Sequence, residues 1–215
     1  MKQRLFLSLA LSLCMASMLA NGIYYVKDFG AKGDGKALDH IAINKAIEAA
    51  TNAGGGQVVL SPGTYLCGSI RLKSNVDLHL MAGAKILAAP GEMKVYDESE
   101  SFGGFPEYQD GGHTYFHNSL IWAEGQQNIS ITGRGLIDGE GLTKHDTETA
   151  GNVQGGSIGT GDKSIALKLC RNVTIRDITI YRGGHFAIIA TGCTIGTIDN
   201  VTIDTNRDGI DIDCC

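Results

Sequence analysis

From Gln57 onward, apolar and polar positions alternate in short bursts: Gln57-Val-Val-Leu60, Pro62-Gly-Thr-Tyr65, Ser69-Ile-Arg-Leu72, Val76-Asp-Leu-His-Leu80, Lys85-Ile-Leu87 and Asn128-Ile-Ser-Ile131. A period near two in β-branched residues predicts strands. One stretch differs. Ala37 to Ala53 carries Ile41, Ala42, Ala46, Ile47 and Ala50 at helical spacing, with Asp39 placed to act as N-cap. Before it, Ile23 to Phe29 reads as a strand and Gly30 to Lys36 as a glycine-rich turn.

The strands repeat. Segments beginning at Asp162, His185 and Asp208 superpose at a spacing of 23, and Val173 to Ile180 superposes on Gly196 to Ile203 without a gap. Such a period, built from strands without helices, marks a solenoid whose units bury their faces against neighbours. Parallel strands need connections that return to the same side, and successive turns of one right-handed coil supply them. The expected fold is all-β: a right-handed parallel β-helix, with the 37–53 helix covering the apolar interior at the N-terminal end. No equivalent cover is visible at the other end, so the pattern reads as the front part of a longer domain running from residue 21 to 215. Five coils at about 4.8 Å each make a stack about 25 Å long. Asn75, Asn128 and Asn172 look like one repeated coil position, and insertions around 91–116 and 140–163 break the register. These insertions are rich in glycine, aromatics and acid, as functional loops often are.

Residues 1–20 have a basic start at Lys2 and Arg4, an apolar stretch from Leu5 to Leu13 and a small residue at Ala20. This is the pattern of a signal peptide, too short and too early for a bilayer span. It predicts a secreted or periplasmic protein; Leu11-Ser-Leu-Cys14 only faintly matches a lipoprotein signal. No other stretch is long and apolar enough to suggest a membrane span. Without Lys2 and Arg4 the 18 basic side chains fall to 16 against 23 acidic ones, a formal charge of −7. That balance argues against nucleic acid or an anionic membrane surface as partner. Five cysteines remain after the leader: Cys67, Cys170, Cys193, Cys214 and Cys215. Cys170 and Cys193 are spaced to sit on adjacent coils, either bonded or as stacked thiols.

The Gly30 to Lys36 turn matches a phosphate loop at Gly30, Gly35 and Lys36, but Ala37 stands where a magnesium-binding hydroxyl is needed. A turn leading into the helix explains it better. Asn128, Asn172 and Asn200 fit the glycosylation pattern, yet their recurrence favours amides that satisfy turn backbone. His40, His79, His113, His117 and His145 lack the spacing of a metal site. No metal and no cofactor are therefore expected.

One edge of the repeat is different. Counting by 23 stacks Asp162, His185 and Asp208 in a column, with Arg182, Gly184 and Arg207 along the same edge. Acidic and basic groups gathered there suit an acidic sugar chain lying along the coils. Alternatively, Asp208 only caps the turn before Gly209. Alternation from Ile210 and Ile212 turns Asp211 and Asp213 outward, and Asp208 faces outward only if Gly209 breaks the strand.

These residues carry a family resemblance over essentially the whole chain after the leader. Tyr25-Val-Lys-Asp-Phe-Gly-Ala-Lys-Gly-Asp-Gly35, Gly54 to Tyr65, Leu120 to Glu124, Ile129 to Gly139 and Asn206-Arg-Asp-Gly-Ile-Asp211 resemble, in order, glycoside hydrolase family 28, the polygalacturonases. The resemblance implies inverting, metal-free hydrolysis of α-galacturonide bonds in pectin by a protein that acts as a monomer when complete. The family's Asn-Thr-Asp motif falls on Asn206, Arg207 and Asp208, which makes Asp208 the implied catalytic carboxylate. Asn206, Arg207, His185 and Arg182 are the candidate substrate-binding residues. Arg207 replaces the family's threonine; it could meet a uronate carboxylate or mark a different pectic substrate. The family's Asp-Asp, Gly-His-Gly and Arg-x-Lys motifs lie C-terminal to the first and do not occur in the seven residues after Asp208. Inversion needs two carboxyls about 6.5–9.5 Å apart, which a following coil would provide. Two rivals remain. One is a pectate lyase or epimerase-like β-helix, of which a lyase would show chelator sensitivity and an unsaturated product; the other is a non-catalytic β-helix that would only hold a glycan.

Overall fold

The structure is a computed structural model and describes residues 22–101, 111–143, 158–205 and 207–215. The leader and Asn206 lie outside the described residues.

In chain order the strands are β1 (Ile23–Tyr25), β2 (Asp34–Leu38), β3 (Gly56–Leu60), β4 (Gly63–Cys67), β5 (Ile70–Arg71) and β6 (Val76–Leu80). They continue with β7 (Ala84–Ala88), β8 (Ile121–Glu124), β9 (Gln127–Gly133), β10 (Leu136–Asp138), β11 (Ile165–Lys168) and β12 (Arg171–Arg176). The last are β13 (Thr179–Tyr181), β14 (Phe186–Thr191), β15 (Thr194–Asp199), β16 (Thr202–Asp204) and β17 (Asp208–Asp213). β3 pairs with β1 and β4 with β2, and from β6 onward each strand pairs with the one three before it, all in parallel, giving three sheets ordered β1-β3-β6-β9-β12-β15, β2-β4-β7-β10-β13-β16 and β5-β8-β11-β14-β17. The chain thus winds as a right-handed parallel β-helix, each coil giving one strand to each sheet.

Alternation explains the packing. In β6 and β7 every second side chain is buried, so Val76, Leu78, Leu80, Ala84, Ile86 and Ala88 stack on their counterparts along the axis. Helix α1 (His40–Asn52) starts three residues later than the periodicity suggested and packs Ala42, Ile43, Ala46, Ile47 and Ala50 against the first coils. Ile41, expected on that face, is 54% exposed and Ile43 takes its place. Asp39 holds the N-cap position without capping the helix. Its buried carboxylate instead accepts the backbone N–H groups of Lys32 and Gly33 at 2.6 and 2.9 Å, tying the glycine-rich turn to the helix entry.

The expected turn residues Asp34 to Lys36 belong to β2, and Val26–Phe29 forms a 3-10 turn rather than strand. At the repeated asparagine position, Asn128 donates to Asn75 at 2.9 Å and Asn172 donates to Asn128 at 3.0 Å, all three with left-handed backbone. Asn200 does not extend this ladder. It donates to Asp177 at 2.8 Å, in the following turn of the coil. Cys170, Cys193 and Cys215 stack as free thiols, the N–H of Cys170 on Cys193 Sγ and that of Cys193 on Cys215 Sγ. Among the described residues no helix is long and apolar enough to cross a membrane.

Candidate functional site

The third sheet carries the site. Within β14 both Ala187 and Ile188 point into the main core, so the alternation breaks there and Phe186 turns outward into a second cluster with Phe116, Ala166 and Ile189. Asp208 pairs with Phe186 and follows it outward; its side chain is 53% exposed. The register carries this orientation and the exposure does not, since Ile210 and Ile212 of β17 are 47% and 44% exposed as well; a break at Gly209 matches the one seen one coil earlier.

The column expected from a constant period is not complete. Ile165 pairs with Ile188, a step of 23, but Phe186 pairs with Asp208, a step of 22. The turn between β16 and β17 is one residue shorter than that between β13 and β14, so Asp208 lies beside Phe186 and not above His185. Asp162 and His185 do meet: the His185 N–H donates to the Asp162 carbonyl at 2.8 Å, and its Nδ1 stands 3.5 Å from the carboxylate. Both are buried. The same carboxylate accepts from Lys163 Nζ at 2.8 Å, a lysine with no exposed surface that also donates to the Tyr115 carbonyl at 2.7 Å.

Arg182 sits at the turn before β14 with left-handed backbone. Its guanidinium forks onto Asp138 at 2.8 and 2.6 Å, reaches Glu140 at 3.2 Å and lies over the Tyr181 ring. It borders a cavity of about 390 Å³ with Glu140, Tyr181, Gly184, Asp204 and Thr205. A uronate approaching Arg182 would compete with two carboxylates already in place. Arg207 is closer to the matter: its Nε is 3.7 Å from the Asp208 carboxylate.

Among the described residues of the insertion before β8, Asp97, Glu100, Phe116 and His117 lie against the outer face of this sheet. Burial alone would raise the Glu100 pKa, but the N–H groups of His117 and Phe116, at 2.9 and 3.0 Å, outweigh it and hold the carboxyl below its ordinary value. Asp97 accepts the Trp122 indole N–H at 2.8 Å and pairs with Arg71, while His117 stacks on Trp122 at 3.8 Å. The 3-10 turn Gly111–His113 then reaches β17. Gly112 makes that approach possible, because a Cβ there would press into the His185 ring and come within 2.7 Å of Phe186. His113 Nδ1 lies 2.8 Å from Asp213, and Nε2 lies 3.7 Å from Asp211. Neither His113 nor Lys163 stood out in the sequence; the composition of the insertion was the only signal, since His113 lies far along the chain from Asp213, and Lys163 from Tyr115.

The three parallel sheets wound as one coil are those of a parallel β-helix of the pectin lyase-like kind. The chain belongs to the family Rhamnogalacturonase A/epimerase, pectate lyase-like, which it matches over residues 23–213. An exo-poly-alpha-D-galacturonosidase of Dickeya chrysanthemi is 31% identical over 117 residues, 54% of this chain and 19% of that protein. A proposed glycosyl hydrolase from Parabacteroides merdae superposes with a TM-score of 0.68 at 29% identity, over 90% of this chain and 80% of that one. The family 28 exopolygalacturonase of Yersinia enterocolitica gives 0.64 at 25% identity, over 88% and 41%. Plasmin and fibronectin-binding protein A of Streptococcus pneumoniae is 32% identical over 85% of this chain and 23% of its own length. The chain spans 19% and 39% of the Dickeya protein and of a polygalacturonase-like protein from Vitis vinifera.

Proposed function

We propose that this chain forms the N-terminal coils of an exported glycoside hydrolase of the polygalacturonase type, cleaving α-galacturonide bonds of pectin with inversion, with Asp208 as one of its two catalytic carboxylates. The observation that carries this reading is the position of Asp208. It pairs in register with the outward-turned Phe186 and is half-exposed, beside the Arg207 guanidinium, which suits a carboxylate presented to a sugar chain. Arg207 is the residue proposed to meet a uronate carboxylate, since its fork matches one. His185 and Arg182 act behind it as positioning residues: one is buried against Asp162 and the other is clamped by Asp138.

Inversion requires a second carboxyl about 6.5–9.5 Å from the first. On a stack rising about 4.8 Å per coil, that partner belongs to a strand following β17. The 215 residues alone are therefore expected to release no reducing ends from polygalacturonate. A longer chain that carries these coils together with the second carboxyl is expected to release them, and its Asp208→Asn variant to lose at least about a thousandfold in rate, the scale of an essential acid or base. Turnover by the 215-residue chain, or an active Asp208→Asn variant, would refute the assignment. An unsaturated uronide among the products would replace it with a lyase, and glycan binding without any product would leave a non-catalytic binding module.

A further inference from the structure

We infer that His113, Asp211 and Asp213 form a binding site for a divalent transition-metal ion of the manganese or zinc class. The three donors converge from two elements far apart in the chain, and their ligating atoms lie within 4.8 Å of one another. Alternation along β17 puts both carboxylates on the outward face. The imidazole comes from the insertion, held in place by the close approach of Gly112 and by its own edge contact with the Phe186 ring at 5.0 Å.

The donor set selects the ion. An imidazole nitrogen with two carboxylate oxygens suits manganese or zinc, whereas calcium and magnesium take oxygen alone. Side-chain exposures of 26%, 32% and 36% leave the site shielded on one side and open on the other, so water can complete the coordination. Charge points the same way. Among the described residues no lysine or arginine pairs with Asp211 or Asp213, and two like charges on one strand face are left to a single imidazole. A dication there ties His113 to β17 about 10–17 Å along the strand from Asp208, fixing the wall beside the proposed catalytic carboxylate. The site stands on its own geometry, whether or not Asp208 is catalytic.

The test uses the 215-residue chain, stripped with a chelator, kept reduced and titrated with manganese while the free ion is followed by electron paramagnetic resonance. Manganese avoids the exposed thiols of Cys214 and Cys215. One saturable ion per chain is expected, displaced by zinc. Asp213→Asn should weaken it at least about tenfold, and Asp211→Asn is the second variant should the first not fold, with circular dichroism reporting the fold of each. Absence of saturable binding up to about 1 mM, the weak end of biological divalent sites, overturns the inference. So does wild-type affinity in a folded Asp213→Asn or Asp211→Asn variant, which would mark adventitious binding. Hydrolysis is not read in this experiment, so its failure and that of the hydrolase assignment are separate results.

Discussion

Replacing Lys163 by methionine tests how the turn beneath the candidate site is held. The lysine side chain has 0% exposure, and its ammonium donates to Asp162 at 2.8 Å and to the Tyr115 carbonyl at 2.7 Å. Methionine keeps most of the volume while removing the charge and both donors. The Asp162 carboxylate, only 9% exposed, then loses its ammonium in a place water hardly reaches. Breaking one side of a buried pair costs about 3–5 kcal/mol. Against a typical domain stability of about 5–15 kcal/mol that is a large fraction. Urea unfolding followed by circular dichroism and by the fluorescence of Trp122, the single tryptophan, measures it. Trp122 stacks on His117 in the segment the Lys163–Tyr115 bond holds down, so its emission reports the same region. Adding Asp162→Asn removes the second charge and should return most of the loss. A single-variant cost under about 1 kcal/mol, or a double variant no better than the single, would refute the reasoning, since loss of the ammonium from the Asp162 carboxylate predicts both results.

Two further outcomes follow from the turns. Burial pushes the His40 pKa below its ordinary value, and Nδ1 accepts the Gly68 N–H at 3.1 Å, so the folded state holds the neutral ring. The unfolded chain binds that proton more readily, so this stability is present above about pH 6.5 and is lost as the pH falls below it. The urea midpoint of His40→Gln should fall less on acidification than that of the wild type, and an equal fall would count against the argument. Asn128 combines a left-handed backbone, φ 54°, with hydrogen bonds to the asparagines above and below. Asn128→Ala should cost about 2 kcal/mol and Asn128→Gly less, because glycine adopts that conformation freely. Thermal melts of the two variants decide it, and alanine matching glycine would sink the backbone part of the claim.

The fold was legible because a β-helix repeats one local rule. Alternation at Val76 to Leu80 and the 23-residue spacing depend only on near neighbours and on the next coil, and both are written in the chain. The site was less legible. A spacing of 23 predicted the Asp162–His185 contact correctly but put Asp208 one residue off, because a single residue missing from a turn shifts everything after it. Arg182 was placed on the right edge, yet nothing in its neighbourhood along the chain revealed that Asp138 occupies its guanidinium.

The sequence by itself determined the strands, the coil period, the helix at the N-terminal end and the asparagine ladder at 75, 128 and 172. These follow from side-chain alternation and from interactions between positions one repeat apart. Only the tertiary structure decided that Glu100, Phe116 and His117 lie against the third sheet, that Lys163 reaches the Tyr115 carbonyl, and that His113 meets Asp211 and Asp213. Those contacts join segments with no periodic relation, so they are fixed by the paths of loops and by which glycine permits a close approach, not by any pattern along the chain.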